Sequence, residues 1–374
     1  MRITFVLPYA SLGGGVRAVA MHATLLASRG HRVTVVSTPR RMPPLRRRLG
    51  DFVRGRGWPT SGRGPSHLDH CVGVDHRVIE QFRPVVDSDV PDADIVIATW
   101  WETANWVNRL SPGKGEKFYF VQHHEVVFDG QPAAEVEDTY DLPLRKICVA
   151  QWLVDLMRDQ YDDPYAALAP CGIDHDIFTA PPRGKQKRPT VGVMYSQAHF
   201  KGCDIALAAF ELAAKNIAGL ELKAFGETTP SHPLPLPRNA EFHLKPRQKE
   251  IAAIYASCDA WLFASRSEGF GLPVLEAMGC RTPVIGTPTG VAPEALAGGA
   301  GILIKPEDVH DMAAAIERVS RMNDADWREM SETAAANARR YTWEDSSRRF
   351  EAALLAPAPP PRPRKRRARA RSKS

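Results

Sequence analysis

Apolar residues recur along the chain in two alternating rhythms. Residues 3–7 form a short apolar run. Val16, Val19, Ala20, Ala23, Leu26 and Ala27 then fall at helical spacing, with Gly30 just past their end, and residues 33–37 are apolar again. This predicts strand, helix, strand. The alternation continues with predicted strands at 94–100, 118–122, 147–151 and 166–170, and a helix from the end of the third of these to about Tyr161. A second series has predicted strands at 190–195, 220–225, 241–244, 260–264, 283–286 and 301–304. Its predicted helices follow Asp204 and cover 247–257, 273–278, 291–296, 309–321 and 326–340. Strands alternating with helices predict parallel sheets, hence an α/β fold in two halves. Pro181, Pro182 and the polar stretch 183–188 place the boundary between them.

The chain has 374 residues and is 44% hydrophobic, enough for two buried cores. No apolar run is long enough to span a bilayer, and the first residues read as a strand rather than a signal peptide. The six cysteines are scattered, with no Cys-x-x-Cys pair, which predicts reduced thiols in a cytoplasmic protein and no zinc site. The net charge of +6 is unevenly spread. Residues 362–373 hold eight basic residues and no acid, and residues 39–66 hold eight arginines against Asp51. Leu45, Leu49, Phe52 and Val53 share a helical face beside Arg46, Arg47 and Arg48. Both patches suit an anionic membrane surface, which would make the protein peripheral on the membrane. A solvated loop and tail are the alternatives. From Pro357 onward the composition has nothing to bury and predicts disorder.

Residues 265–278 carry the densest chemistry. Glu268 and Glu276 bracket Gly269-Phe270-Gly271-Leu272-Pro273, between an apolar strand and a helix expected to open on Pro273. Glu268 is expected in the loop and Glu276 in the helix's first turn. Glycines let the backbone approach a ligand, and a helix start favours an anion. An ionised carboxylate accepts hydrogen bonds and so holds hydroxyls. Anion binding flanked by hydroxyl holders fits a nucleotide diphospho-sugar.

This block resembles the Glu-x7-Glu signature of retaining glycosyltransferases of the GT-B fold, family 4. The resemblance implies two Rossmann-like domains facing across a cleft, with a last helix crossing back to the first. It implies that Glu268 contacts the donor sugar and Glu276 the ribose, with Gly269, Phe270, Gly271 and Leu272 against the diphosphate. Phe200-Lys201-Gly202 is similar to the family's Lys-Gly, whose lysine contacts the diphosphate, so Lys201 takes that role. An arginine common in the family about six residues earlier is replaced by the Tyr195-Ser196-Gln197 region, leaving phosphate neutralisation to Lys201, the helix starts and Arg266. Gln122-His123-His124-Glu125 follows a predicted strand and is similar to bacterial members that transfer deoxyhexoses. The resemblance implies a histidine that contacts the sugar and assists catalysis, and register favours His123 over His124. Gly14 and Gly15 are implied to approach the donor or acceptor. Pro170-Cys171-Gly172-Ile173-Asp174 resembles the interdomain segment, with cysteine for the usual asparagine, and Tyr341-Thr342-Trp343-Glu344 resembles the opening of the crossing helix. The domains are thus expected at 1–170, completed by 343–356, and at 171–342.

The implied reaction moves a hexose or deoxyhexose from a nucleotide diphospho-sugar to a hydroxyl of a glycan or glycolipid, with retention. No essential metal and no separate cofactor are expected. Asp92-Ala93-Asp94 is expected only to lead into a strand. Two alternatives stand beside this. Gly13-x-Gly15-x-x-Ala18 with Arg40 loosely fits an NADP-dependent oxidoreductase. A non-catalytic sugar-nucleotide-binding protein would bind donor without turnover.

Overall fold

The computed structural model describes residues 1–42, 48 and 64–360. Most of the basic stretch 39–66 and the whole of 362–373 lie outside the described residues.

The first half builds a seven-stranded parallel sheet from β1 (Arg2–Leu7), β2 (Arg32–Ser37), β3 (Val74–Val78), β4 (Ile95–Ala98), β5 (Glu116–Val121), β6 (Arg145–Cys148) and β7 (Ala167–Leu168), in the order β3-β2-β1-β4-β5-β6-β7. β1, β2 and β4 are buried almost end to end, because helices cover both faces of the sheet. The connecting helices are α1 (Gly14–Ser28), α2 (Trp101–Arg109), α3 (Ala133–Tyr140) and α4 (Gln151–Tyr161). Two of these elements escape the apolar pattern. β3 is a largely exposed edge strand of sequence Val-Asp-His-Arg-Val, fixed by its register on β2, where Val33 faces Val74. α3 buries only Val136, Thr139 and Tyr140. Gln151 opens α4 rather than ending the preceding strand.

The second half holds β8 (Thr190–Met194), β9 (Glu221–Gly226), β10 (Glu241–Leu244), β11 (Ala260–Phe263), β12 (Val284–Gly286) and β13 (Gly301–Leu303), in the order β10-β9-β8-β11-β12-β13. Its helices are α5 (Cys203–Ala214), α6 (Gln248–Ala256), α7 (Leu272–Gly279), α8 (Ala292–Ala295), α9 (Val309–Arg321) and α10 (Asp324–Ala338). In both sheets the strand order reverses beside the first strand, between β1 and β4 and between β8 and β11. Such a switch point opens a crevice at the carboxyl ends of the strands, where open α/β sheets take their ligands.

The chain crosses between the halves twice, and the crossings touch. Ile173 bridges Thr342, and a Cβ on Gly172 would stand 2.3 Å from the Thr342 carbonyl carbon. Only glycine lets these two backbones lie so close. The last helix, α11 (Trp343–Leu355), then packs on α1 of the first half. Phe350 stacks near Phe5, His31 bonds Glu351 at 2.7 Å and Arg29 bonds Ser347 at 2.7 Å.

Candidate active site

The site forms where the carboxyl ends of the two sheets face each other. β11 ends at Phe263, and the chain turns through Gly271, whose φ of +91° is open to glycine and strained for other residues. That turn starts α7 one residue earlier than the sequence suggests. Leu272 is its first residue and Pro273 its second, so Glu276 lies in the second turn rather than the first. Both Glu268 and Glu276 are buried.

Burial of two carboxylates requires partners. Lys201 donates to Glu268 at 2.7 Å, and Ser265 donates to the same oxygen at 2.8 Å. Lys201 is brought there by Gly202, which has φ +59° and lies so close to Ala264 that a Cβ would sit 1.9 Å from its carbonyl oxygen. Glu276 is held from the other domain. Arg17 of α1 reaches across and donates to its Oε1 at 2.6 Å, while Tyr255 donates to Oε2 at 3.2 Å.

The two histidines after β5 separate in space. His124 bonds the hydroxyl of Tyr161 at 2.9 Å, inside the first domain, and burial and the neighbouring His123 lower its pKa to about 4. His123 is buried facing the second domain, with its ring 6.3 Å from that of Phe200. Burial lowers its pKa, against the opposing pull of Glu268 and of the His124 and Ser267 backbone. Its Nδ1 donates to the His124 carbonyl at 3.1 Å, and its Nε2 has no hydrogen-bond partner. A neutral ring so tethered presents a free lone pair at Nε2. His123 is thus the histidine of the pair that interacts electrostatically with Glu268.

Gly269 sits on the seam between the domains. A Cβ there would lie 1.8 Å from the Gln122 carbonyl oxygen, and Trp152 of α4 donates to the Gly269 carbonyl at 2.9 Å. Gly15 lies against the Gln122 side chain, and a Cβ on Gly14 would lie 4.0 Å from Leu272. The α1 glycines therefore face the same seam as Gly269, Phe270, Gly271 and Leu272.

Arg266 does not serve as a free phosphate partner. It forms a two-pronged pair with Asp204, at 2.8 Å for each prong, and an ion pair with Glu307 at 2.5 Å. Asp92 and Asp94 are likewise committed, to Lys114 and Arg2, both at 2.9 Å. Sequence reasoning missed Arg17, Tyr255, Ser265 and Trp152. Arg17 alone left a trace, as a cation two residues after a glycine run at a helix start.

Anabaena HepE in complex with UDP and glucose superposes with a TM-score of 0.71 at 16% identity, over 95% of this chain and 99% of that one. Staphylococcus aureus TarM, solved as a mutant with fondaparinux, alpha-GlcNAc-glycerol and UDP, gives 0.72 at 12% identity, over 95% and 100%. The fold is GT-B. Residues 178–341, which form most of the second half, match the family described as glycosyl transferases group 1. O-antigen chain mannosyltransferase B of Escherichia coli is 35% identical over 26% of this chain and 25% of its own length. D-inositol 3-phosphate glycosyltransferase of Corynebacterium jeikeium is 37% identical over 28% and 25%. The chain thus spans about a quarter of the length of the curated relatives it matches. The Glu268–Glu276 block lies inside the matched family region.

Proposed function

We propose that the protein is a retaining glycosyltransferase of the family 4 kind, moving a hexose or deoxyhexose from a nucleotide diphospho-sugar to a hydroxyl of a glycan or glycolipid. The observation that carries this reading is the pairing of Glu268 with Lys201 beside His123, at the glycine-lined start of α7. A carboxylate, a cation and a neutral imidazole with a free acceptor meet there, facing the first domain's glycine loop.

Glu268 then accepts hydrogen bonds from donor-sugar hydroxyls, and Glu276 from the ribose. The diphosphate lies against Gly269 to Leu272, where the first N–H groups of α7 point, and Lys201 neutralises it as it departs. His123 accepts from the sugar through Nε2. Rate enhancement comes from positioning and from stabilising the leaving diphosphate. No metal is required in this scheme, so turnover is expected to survive a chelator. The basic composition of stretches 39–66 and 362–373 suits an anionic surface, which supports a reading in which the enzyme works at the cytoplasmic face of a membrane on a glycolipid acceptor. Co-sedimentation with anionic against neutral vesicles tests that part.

Thermal shift against UDP, GDP, dTDP and NADP⁺, without added metal, tests the donor site, because a ligand that binds only the folded state raises the midpoint. One nucleoside diphosphate is expected to stabilise. Stabilisation by NADP⁺ alone would restore the oxidoreductase alternative, which the matched family does not favour. Glu268→Ala and Lys201→Ala are expected to reduce transfer at least about a hundredfold in a protein that still folds, with a lowered melting temperature because each variant leaves the other charge of the pair without its partner. This follows from the loss of charged hydrogen bonds made to the reacting groups. Near-normal turnover in both would sink the assignment, and binding without turnover on any acceptor would favour a non-catalytic binding protein.

A further inference from the structure

The site stores its charges as two internal ion pairs, and one of the four residues, Arg17, has no role in the scheme above. Arg17 and Glu276 belong to different domains, and their side chains are 11% and 9% exposed. The other pair, Lys201 with Glu268, lies within the second domain, with side chains 20% and 8% exposed. Each pair joins a carboxylate that suits hydroxyls to a cation that suits phosphate. Arg17 also lies in the first turn of α1, which contains no acid, and its guanidinium carbon stands 5.4 Å from the ring centre of Phe178. A cation at the positive end of a helix dipole is poorly placed for stability. Its partner Glu276 reaches it only from the opposite side of the cleft.

We propose that Arg17 is a binding residue for the donor's diphosphate, contributed by the first domain. This rests on the donor site described above. On entry of the nucleotide the two ion pairs exchange partners. Glu268 and Glu276 turn to sugar and ribose hydroxyls, and Lys201 and Arg17 turn to the two phosphates. After the exchange the two phosphates face two cations and both carboxylates are hydrogen-bonded by hydroxyls, so no buried charge is left without a polar partner. Arg17 is suited to the task, because a planar guanidinium matches phosphate oxygens through two parallel donors. Arg266, the other guanidinium near the loop, is occupied by Asp204 and Glu307. Because Arg17 approaches from the first domain, the diphosphate is held from both sides of the seam.

Calorimetric titration of the full chain tests this, with the nucleoside diphosphate that stabilises the parent and with the matching nucleoside. Arg17→Gln is expected to weaken the diphosphate roughly tenfold or more, in keeping with one charged hydrogen-bonding partner. The nucleoside, which lacks phosphate, is expected to bind the variant at least as well as the parent, because Glu276 no longer has to leave Arg17 to meet the ribose. Arg17→Lys should recover part of the loss, and it keeps a buried cation beside Glu276 if the glutamine variant folds poorly. Unchanged diphosphate affinity in Arg17→Gln would overturn the proposal. Tighter binding would also overturn it, by showing that Arg17 merely competes with ribose for Glu276. An equal loss for diphosphate and nucleoside would assign Arg17 to domain packing alone. A parent that binds no nucleoside diphosphate would overturn this proposal together with the proposed function, whereas a parent that binds and an insensitive variant would overturn this one only.

Discussion

At the scale of single residues, the site is decided by what fits and by what is charged. Gly269 has no room for a side chain, since a Cβ would meet the Gln122 carbonyl oxygen at 1.8 Å. Gly269→Ala is expected to push the domains apart at the seam, raising the donor dissociation constant about tenfold or more, while each domain keeps its own core. Donor titration beside a melting curve separates the two effects. Glu125 poses a different problem. It is fully buried, accepts from the Trp101 backbone at 2.7 Å and the Tyr119 hydroxyl at 3.1 Å, and leaves Oε1 without a partner. Burial holds its carboxyl pKa well above the usual range. The folded protein thus favours the neutral acid, while the unfolded chain ionises once the pH passes the ordinary carboxylate value, so this group costs stability as pH rises. Glu125→Gln, which mimics the neutral acid, is expected to match or exceed the parent in urea at neutral pH. Glu125→Ala is expected to lose about 1–3 kcal/mol, because it strands the Trp101 and Tyr119 donors. Neither environment is legible from the residues alone. The motif marks Gly269 for a ligand and not for its contact with Gln122, and Glu125 looks like a solvated acid beside two histidines.

At the scale of elements, apolar periodicity located most strands and helices to within a few residues, because burial on both faces of a parallel sheet leaves a dense apolar signal. It failed at β3 and α3, where little is buried. It also missed what lies beneath α11. His22 of α1 reads as a polar residue on a helix, yet it is fully buried, stacks on Phe350 at 4.3 Å and meets Phe120 and Trp343 edge-on. Both its ring nitrogens lack partners, and burial lowers its pKa to about 3. The ring is therefore neutral when folded and takes up a proton when unfolded below about pH 6.5. Its stability contribution is complete above that pH and falls by up to about 1.4 kcal/mol per unit as pH drops towards 3. His22→Phe keeps the stacked ring without the titration. Its urea midpoint is expected to change less between pH 7 and pH 5 than that of the parent, and an identical pH dependence would show that other groups set the acid limit.

At the scale of the whole molecule, the two chain crossings and α11 tie the first domain to residues from the far end of the sequence. α11 buries Trp343, Phe350 and Leu354 and meets the residues just past α1 through Arg29 and His31. A chain ending at residue 340 is expected to lose the cooperative melting of the first domain while the second sheet retains its own transition. Calorimetry of the shortened and full chains would show it, and two unchanged transitions would mean that α11 contributes little.

The sequence by itself determined the alternation of strands and helices, the division into two halves, and the local block from Ser265 to Met278. These depend on periodicity and on residues a few positions apart, which short-range sterics and burial control. The tertiary structure decided which charges meet. Arg17 and Glu276 are 259 positions apart, and only the strand order of two sheets facing each other brings α1 against α7. The same topology commits Arg266 to Asp204 and Glu307, turns His123 towards the cleft and His124 away from it, and presses Gly269 against Gln122. No periodicity encodes such pairs, because a side chain's partner across a cleft is set by the path of the chain and not by its neighbours in sequence.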